Sequence, residues 1–202
     1  MHILVLNAPP GAGKDAICSY LCENISGVFH EEVKKLLFEV AVRSSGVSKD
    51  LWNSLYDRRY KEKPCPYLQI DGKHVSPREW MIHCSENVIK PIFGENAFGK
   101  AAVENLKKNY QEAWLVVFSD GGFKEEILEL SNYAYETGGK FFLARIHREG
   151  CDWGNDSRNW LCLDGIRGYE RDFENIDGKM EECAKSIHKW FVFSVTGLGE
   201  VK

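Results

Sequence analysis

Apolar residues along this chain gather in short runs, and helical spacing fills the intervals between them. Residues 1–6 are apolar and β-branched and end at Asn7-Ala8-Pro9-Pro10, which predicts a buried strand. From residue 13 to about 23, Ile17, Tyr20 and Leu21 recur at helical spacing. A short strand is expected over 27–29. A helix is expected over 31–42, with Val33, Leu36, Leu37 and Val40 on its inner face. A basic helix over 49–63 should break at Pro64-Cys65-Pro66, because proline cannot continue it. Residues 69–73 read as a turn or short hairpin. Ser76-Pro77-Arg78-Glu79 has the cap, first-turn proline and third-position glutamate of a helix start, and that helix should stop at Pro91. Another helix follows over 96–108.

The run Trp114-Leu115-Val116-Val117-Phe118 is nearly continuous, as expected of a parallel strand buried on both faces. A helix over 125–136, a strand over 140–146, a strand over 169–176 and a closing helix over 179–190 complete the pattern. Residues 147–168 are polar and show no clear period. Strands alternating with helices imply an α/β fold with a mostly parallel central sheet, and the helical stretch 31–110 reads as a lobe inserted beside it.

Composition narrows the function classes. The chain has 202 residues, 44% of them hydrophobic and 28% charged, as in an ordinary globular domain. A formal net charge of −4 does not suggest a nucleic-acid polymer as partner. No apolar stretch approaches the roughly 20 residues of a membrane span, and residue 1 leads straight into a strand without a leader pattern, so an intracellular protein is expected. Seven cysteines without a C-x-x-C argue against a disulfide framework or a zinc ribbon. Cys18 and Cys22, and likewise Cys151 and Cys162, read as free thiols rather than metal ligands.

The candidate chemistry begins at residues 7–16, NAPPGAGKDA. Between a buried strand and a helix, this stretch approximates the phosphate-gripping pattern G-x-x-x-x-G-K-[ST], with Ala8 for the first glycine and Asp15 for the hydroxyl residue. Gly11, Ala12, Gly13, Lys14, Asp15 and Ala16 are the expected contacts of ATP. The loop amides would curl around a phosphate at a helix N-terminus, and Lys14 would reach the β- and γ-phosphates. A carboxylate at residue 15 either holds Mg²⁺, directly or through water, or caps the helix. Asp120, at the end of the 114–118 run, is the second candidate for organising Mg²⁺ or the acceptor. The absence of an N-K-x-D motif argues against a GTPase switch.

Together GAGKD, FHEEVKKLL, DRRYKEKP, SPREWMIHCSENVIKPIFGENAF, SDGGFKEE and ENIDGKMEE resemble the phage-type deoxynucleoside monophosphate kinases, a branch of the P-loop NMP kinases. The resemblance spans residues 3 to about 190; GKD and the SPRE helix are its most specific parts. It implies the three-layer P-loop NTPase fold, with a core over 1–30 and 111–202, a helical NMP-binding lobe over 31–110 and a lid over 147–168. It implies transfer of the γ-phosphate of ATP to a dNMP, giving ADP and dNDP, with Mg²⁺ as cofactor and a cytoplasmic setting, that of the host if the chain is phage-encoded.

By the same resemblance, Lys14 would hold the donor phosphates, and Lys34, Lys61, Arg78 and Lys90 would belong to the substrate side with Asp120. Lys90 stands where the family often has arginine, and Gly122 where it commonly has the arginine of D-x-R; Glu126 matches its acidic residue. Residues 147–160, HREGCDWGNDSRNW, resemble the lid, from which Arg148 and Arg158 would reach the transferring phosphoryl group.

Other features carry two readings. Arg58-Arg59-Tyr60-Lys61 reads as a monophosphate grip or as a solvated basic face. Trp52, Tyr56 and Trp80 stack on a base or fill a core. His83 and His147 have no visible nucleophile partner. The apolar tail 190–195 could pack on its own sheet or on a second copy in a homodimer. Two further functions fit the residues: a kinase with a hydroxyl acceptor and Asp120 as base, or an ATP-binding module without transfer chemistry.

Overall fold

The computed structural model describes residues 1–154, 156 and 158–197. Asn155 and Ser157, inside the expected lid, and residues 198–202, at the end of the expected core, lie outside the described residues. Five strands form one sheet in the order β2-β5-β1-β6-β7: β1 (His2–Asn7), β2 (Val28–Glu31), β5 (Leu115–Phe118), β6 (Phe141–His147) and β7 (Tyr169–Glu174). All pairings are parallel, with Leu4 opposite both Val117 and Phe142. Every strand therefore ends on the same edge.

The continuous apolar runs are explained by burial on both faces. Ile3, Val5, Val116, Phe118, Phe141 and Leu143 face helices α6 (Ala97–Asn109) and α7 (Lys124–Glu136). Leu4, Leu6, Val117, Phe142 and Ile146 face α1 (Lys14–Asn24) and α8 (Met180–Thr196). Of the expected insert over 31–110, the middle part has a core of its own around Ala41, Trp52, Leu68, Met81 and Cys84, whereas α6 packs on the sheet. Trp52 is fully buried and stacks on Tyr56 at 6.0 Å, and Trp80 donates Nε1–H to the Ala41 carbonyl at 3.1 Å, so these aromatics serve the lobe's packing.

Four elements depart from the expected pattern. The helix expected over 31–42 is α2 (Lys35–Ser45), because β2 runs on to Glu31 and the amides of Glu32, Val33 and Lys34 are taken by the Glu31 and Asp120 carboxylates. The helix expected over 49–63 is only α3 (Lys49–Leu55): the Asp57 carboxylate accepts from Arg59 N–H at 3.0 Å and its carbonyl from Tyr60 and Lys61 N–H, tightening the chain into turns.

Pro91 does not end its helix. α4 (Pro77–His83) opens into a π-helical turn, Cys84–Ile89, and continues as α5 (Lys90–Phe93). Lys90 N–H donates to the carbonyl five residues back, at Ser85. The widened turn eases the clash of the proline ring with the carbonyl of the preceding turn. Finally, α8 runs past residue 190 to Thr196.

The Ser76 capping box forms as expected. The expected hairpin is β3 (Gln69–Ile70) and β4 (Lys73–His74), joined at Asp71 and Gly72, both at positive φ. No helix among the described residues is long and apolar enough to cross a membrane.

The extension of α8 decides where the apolar tail goes. Phe191 is fully buried, its ring centroid 4.9 Å from Phe142, 5.0 Å from Trp114 and 5.5 Å from His2. Phe191→Ala should cost about 3–5 kcal/mol in denaturant unfolding, as expected for loss of a buried aromatic ring. A change below about 1 kcal/mol would contradict this packing.

Candidate active site

The carboxyl ends of β1, β2 and β5 border a cavity of about 390 Å³. Its near wall is the turn between β1 and α1. Asn7, 1% exposed, ends β1; its amide donates to the Asn159 carbonyl at 3.3 Å and accepts from Leu161 N–H at 3.1 Å. The turn that follows depends on glycine: Gly11 and Gly13 have φ of 87° and 90°. A Cβ at Gly13 would also lie 2.6 Å from Asn175 Nδ2, so substitution is opposed by both strain and space.

Gly11, Lys14 and Asp15 line the cavity, whereas the Ala12 side chain is buried in the core and Gly13 and Ala16 do not line it. Burial lowers the pKa of Lys14, opposed by Asp15 and Asp120 and assisted by Arg158 and Lys34.

Asp120 stands at the far end of β5. Its Oδ1 accepts from Val33 N–H at 2.8 Å and its Oδ2 from Lys34 N–H at 3.0 Å, which joins the insert to the sheet. Burial raises its pKa against the pull of Lys34 and the two amides. Lys34 Nζ lies 3.8 Å from Asp120 and 2.7 Å from Glu32; burial opposes its charge, but these carboxylates outweigh that and raise its pKa.

The opposite wall comes from the insert. Lys61 and Arg78 line it, held together by Arg78 N–H donating to the Lys61 carbonyl at 3.0 Å, and Arg58 joins them. Leu37, Tyr56, Met81, Phe98 and Phe123 give the lining an apolar part suited to a flat ring. The cavity is thus lined by Lys14 from the glycine turn, by Arg58, Lys61 and Arg78 from the insert, and by an apolar patch.

Two expected site residues are placed elsewhere. Lys90 does not line the cavity: its ammonium pairs with Glu86 at 2.7 Å and Glu95 at 3.4 Å and lies 5.0 Å from the Phe123 ring centroid. Arg148 pairs with Asp177 and does not line the cavity, although its Nη1 lies 4.0 Å from a Cβ built at Gly13, beside the glycine turn. Arg158, by contrast, lines the cavity with Asp156. Of the expected lid, Leu161, Leu163 and Ile166 are buried in the core. Arg59 pairs with Asp57, His83 contacts Asn87, and His147 contacts Asp172 and stacks on Trp160, all away from the cavity.

The residues present accommodate a divalent cation unequally. Asp15 is exposed on the first turn of α1, beside Lys14 and open to solvent, which suits a hydrated Mg²⁺ shared with phosphates. Asp120 is the poorer donor, since both its oxygens already accept backbone hydrogen bonds. Among the described residues no three His, Cys, Asp or Glu side chains cluster as a metal site.

Sequence reasoning missed Asn175. It follows β7, is 2% exposed, donates Nδ2–H to the Ala12 carbonyl at 2.8 Å and N–H to the His147 carbonyl at 2.7 Å. It ties the loop to the ends of β6 and β7. Nothing local marks it, because its partners are 163 and 28 positions away.

No family model and no curated protein matches this chain. Among solved structures, the tunicamycin resistance protein of Deinococcus radiodurans is similar over 93% of this chain and 94% of its own, with 13% identity and a TM-score of 0.47. A candidate kinase of Chloroflexus aurantiacus is similar over 96% of this chain and 97% of its own, with 11% identity and a TM-score of 0.47.

Glu126 lines the cavity from the first turn of α7. Its Oε2 accepts from Gly122 N–H at 3.1 Å and Phe123 N–H at 3.2 Å. Burial pushes its pKa up to about 7, with Asp120 adding to the rise and the two amides opposing it. The raised value means that the protonated carboxyl suits the fold better than the carboxylate. Its contribution to stability is complete below the ordinary value of about 4.5 and is lost as pH climbs through about 7. Glu126→Gln keeps an acceptor oxygen for both amides. Urea unfolding between pH 4.5 and 7 should therefore show a decline in stability in the wild type that this variant lacks; an unchanged slope assigns the decline to other groups.

Proposed function

We propose that this protein is a phosphotransferase that moves the γ-phosphoryl group of ATP onto the 5′-phosphate of a deoxynucleoside monophosphate. The observation that carries the reading is the lining of one cavity by three kinds of residue: Lys14 and its glycine turn from the sheet, Lys61 and Arg78 from the insert, and an apolar patch. A donor triphosphate tail fits the glycine turn and Lys14. An acceptor monophosphate fits Lys61 and Arg78, with its base against the apolar residues.

The chemistry asks little of a base. An acceptor phosphate oxygen is already ionised and nucleophilic, so catalysis rests on alignment and on positive charge where negative charge spreads in the transition state. Lys14 neutralises donor oxygens. Arg158 faces the same space and adds positive charge where the acceptor meets the transferring group. Bound Mg²⁺, held by Asp15 and the phosphates, would screen the phosphates' negative charge.

One observation favours a second reading. Glu126 faces the cavity with a pKa near neutrality, the property expected of a general base, and a hydroxyl acceptor on a small metabolite would need one. An acceptor panel separates the readings: the four common dNMPs and their ribo counterparts against phosphate-free hydroxyl compounds, scored by ADP release. Turnover confined to hydroxyl compounds would favour Glu126 as base, and ATP binding without ADP release would favour a binding module. Lys14→Ala should lower kcat by at least about a hundredfold, as for loss of a charged group that stabilises the transition state, while the unfolding curve stays close to wild type. A variant with ordinary turnover refutes the mechanism.

A further inference from the structure

Gly122, two residues past Asp120, leaves a gap that the stem of Arg158 fills. A Cβ built at Gly122 would lie 2.4 Å from Arg158 Cδ, 2.7 Å from Cγ and 3.5 Å from Cβ, and these are its three nearest neighbours. Gly122 is not among the glycines at positive φ, so an alanine suits its backbone, and the atoms nearest its Cβ all belong to Arg158.

The far end of Arg158 is held as firmly. Asp156 Oδ1 accepts from its Nε at 2.9 Å and its backbone N–H at 3.0 Å, and Oδ2 accepts from Nη2 at 2.7 Å. The same Oδ2 lies 3.4 Å from Nη2 of Arg78, which belongs to the insert. The Asp156 side chain is 3% exposed, so one buried carboxylate joins guanidinium groups from two separate parts of the chain. Among the described residues, Nη1 of Arg158 makes no hydrogen bond, and both arginines line the cavity.

A carboxylate buried in a cavity that already contains Asp120 and Glu126 adds negative charge where the proposed substrates are themselves anionic. The arrangement makes sense if that carboxylate orients cations for a ligand. A planar guanidinium gripped through Nε and Nη2 presents its remaining N–H groups in a defined direction, as bidentate recognition of a phosphate requires.

We propose that Gly122 and Asp156 are positioning residues that seat Arg158 beside Arg78, so that the two guanidinium groups form a two-pronged receptor for the dianionic phosphate of the acceptor. The assignment rests on the phosphotransferase reading for the identity of the acceptor, but not for the existence of a phosphate receptor. Gly122 acts by absence: it is the space through which an arginine from residue 158 enters the cavity. Asp156 acts by aiming that arginine and linking it to Arg78.

The test is a double-mutant cycle with Gly122→Ala, Arg158→Ala and the double variant, all confirmed as folded by their unfolding curves. Each single change should raise KM for the accepted dNMP on the order of tenfold or more, the usual consequence of losing a charge-assisted hydrogen bond, with KM for ATP within about twofold of wild type. The double variant should be no worse than either single one, because both remove the same interaction. Additive losses, or a Gly122→Ala enzyme with wild-type KM, overturn the proposal. Asp156→Asn keeps the volume but weakens the grip, and should raise the same KM.

A second readout does not depend on turnover. The Trp153 ring centroid lies 5.8 Å from Arg158 Cζ, so the emission lost in a Trp153→Phe variant reports the position of the arginine. If the wild type phosphorylates no dNMP, the acceptor assignment fails. The receptor is then judged by titrating inorganic phosphate against Trp153 emission. Saturation in the wild type, weakened on the order of tenfold by Gly122→Ala, supports it; no saturation, or equal affinity in the two proteins, overturns it.

Discussion

The whole site depends on β1 being paired along both edges and buried on both faces. Its backbone groups are committed to β5 and β6 and its side chains to two cores, so the chain turns abruptly where the sheet ends. That turn is the glycine loop. The same parallel register brings the ends of the other four strands to one rim, where Asp120, Glu31, His147 and Asn175 meet the loop or the elements around it. Ligand sites in open α/β sheets lie at such carboxyl ends for this topological reason.

Charge gives the rim its chemistry. Six cationic side chains share the cavity with five carboxyl groups, and the outcome differs from residue to residue. Lys34, close to Asp120 and Glu32, holds its proton more tightly than a free lysine, whereas Lys14, buried beside other cations, holds it less tightly. An arriving polyanion would therefore relieve Lys14, and Lys61 as well, whose pKa burial and Arg78 also lower. Asp120 contributes mainly through geometry: by accepting the amides of Val33 and Lys34 it sets where α2 begins, and so where the whole insert stands.

Much of this was legible in the chain. The three central strands were readable because buried parallel strands are nearly all apolar, whereas the edge strands β2 and β7 are together largely exposed and were marked only by short turns around them; the loop was readable because glycine and lysine at fixed spacing have a local mechanism. The Ser76 cap formed for the same reason. The misreadings came from competition that spacing does not show. Asp57 captures its own neighbours and shortens α3, while a π turn lets the chain pass Pro91. Lys90 matched a basic position, yet nearby carboxylates take up its charge. Arg148 and Arg158 looked equivalent in one polar stretch, but the first pairs with Asp177 beside the glycine turn and the second, paired with Asp156, lines the cavity.

Sequence alone determined the alternation of strand and helix, the glycine turn with Lys14 at a helix start, and the presence of an inserted helical lobe. These are properties of near neighbours, set by side-chain period, backbone freedom and capping. The tertiary structure decided which cations share a cavity, that Asn175 braces the loop, and that Gly122 makes room for Arg158. Each of those is a contact between residues dozens of positions apart, and such a contact exists only once the sheet has brought the strand ends together.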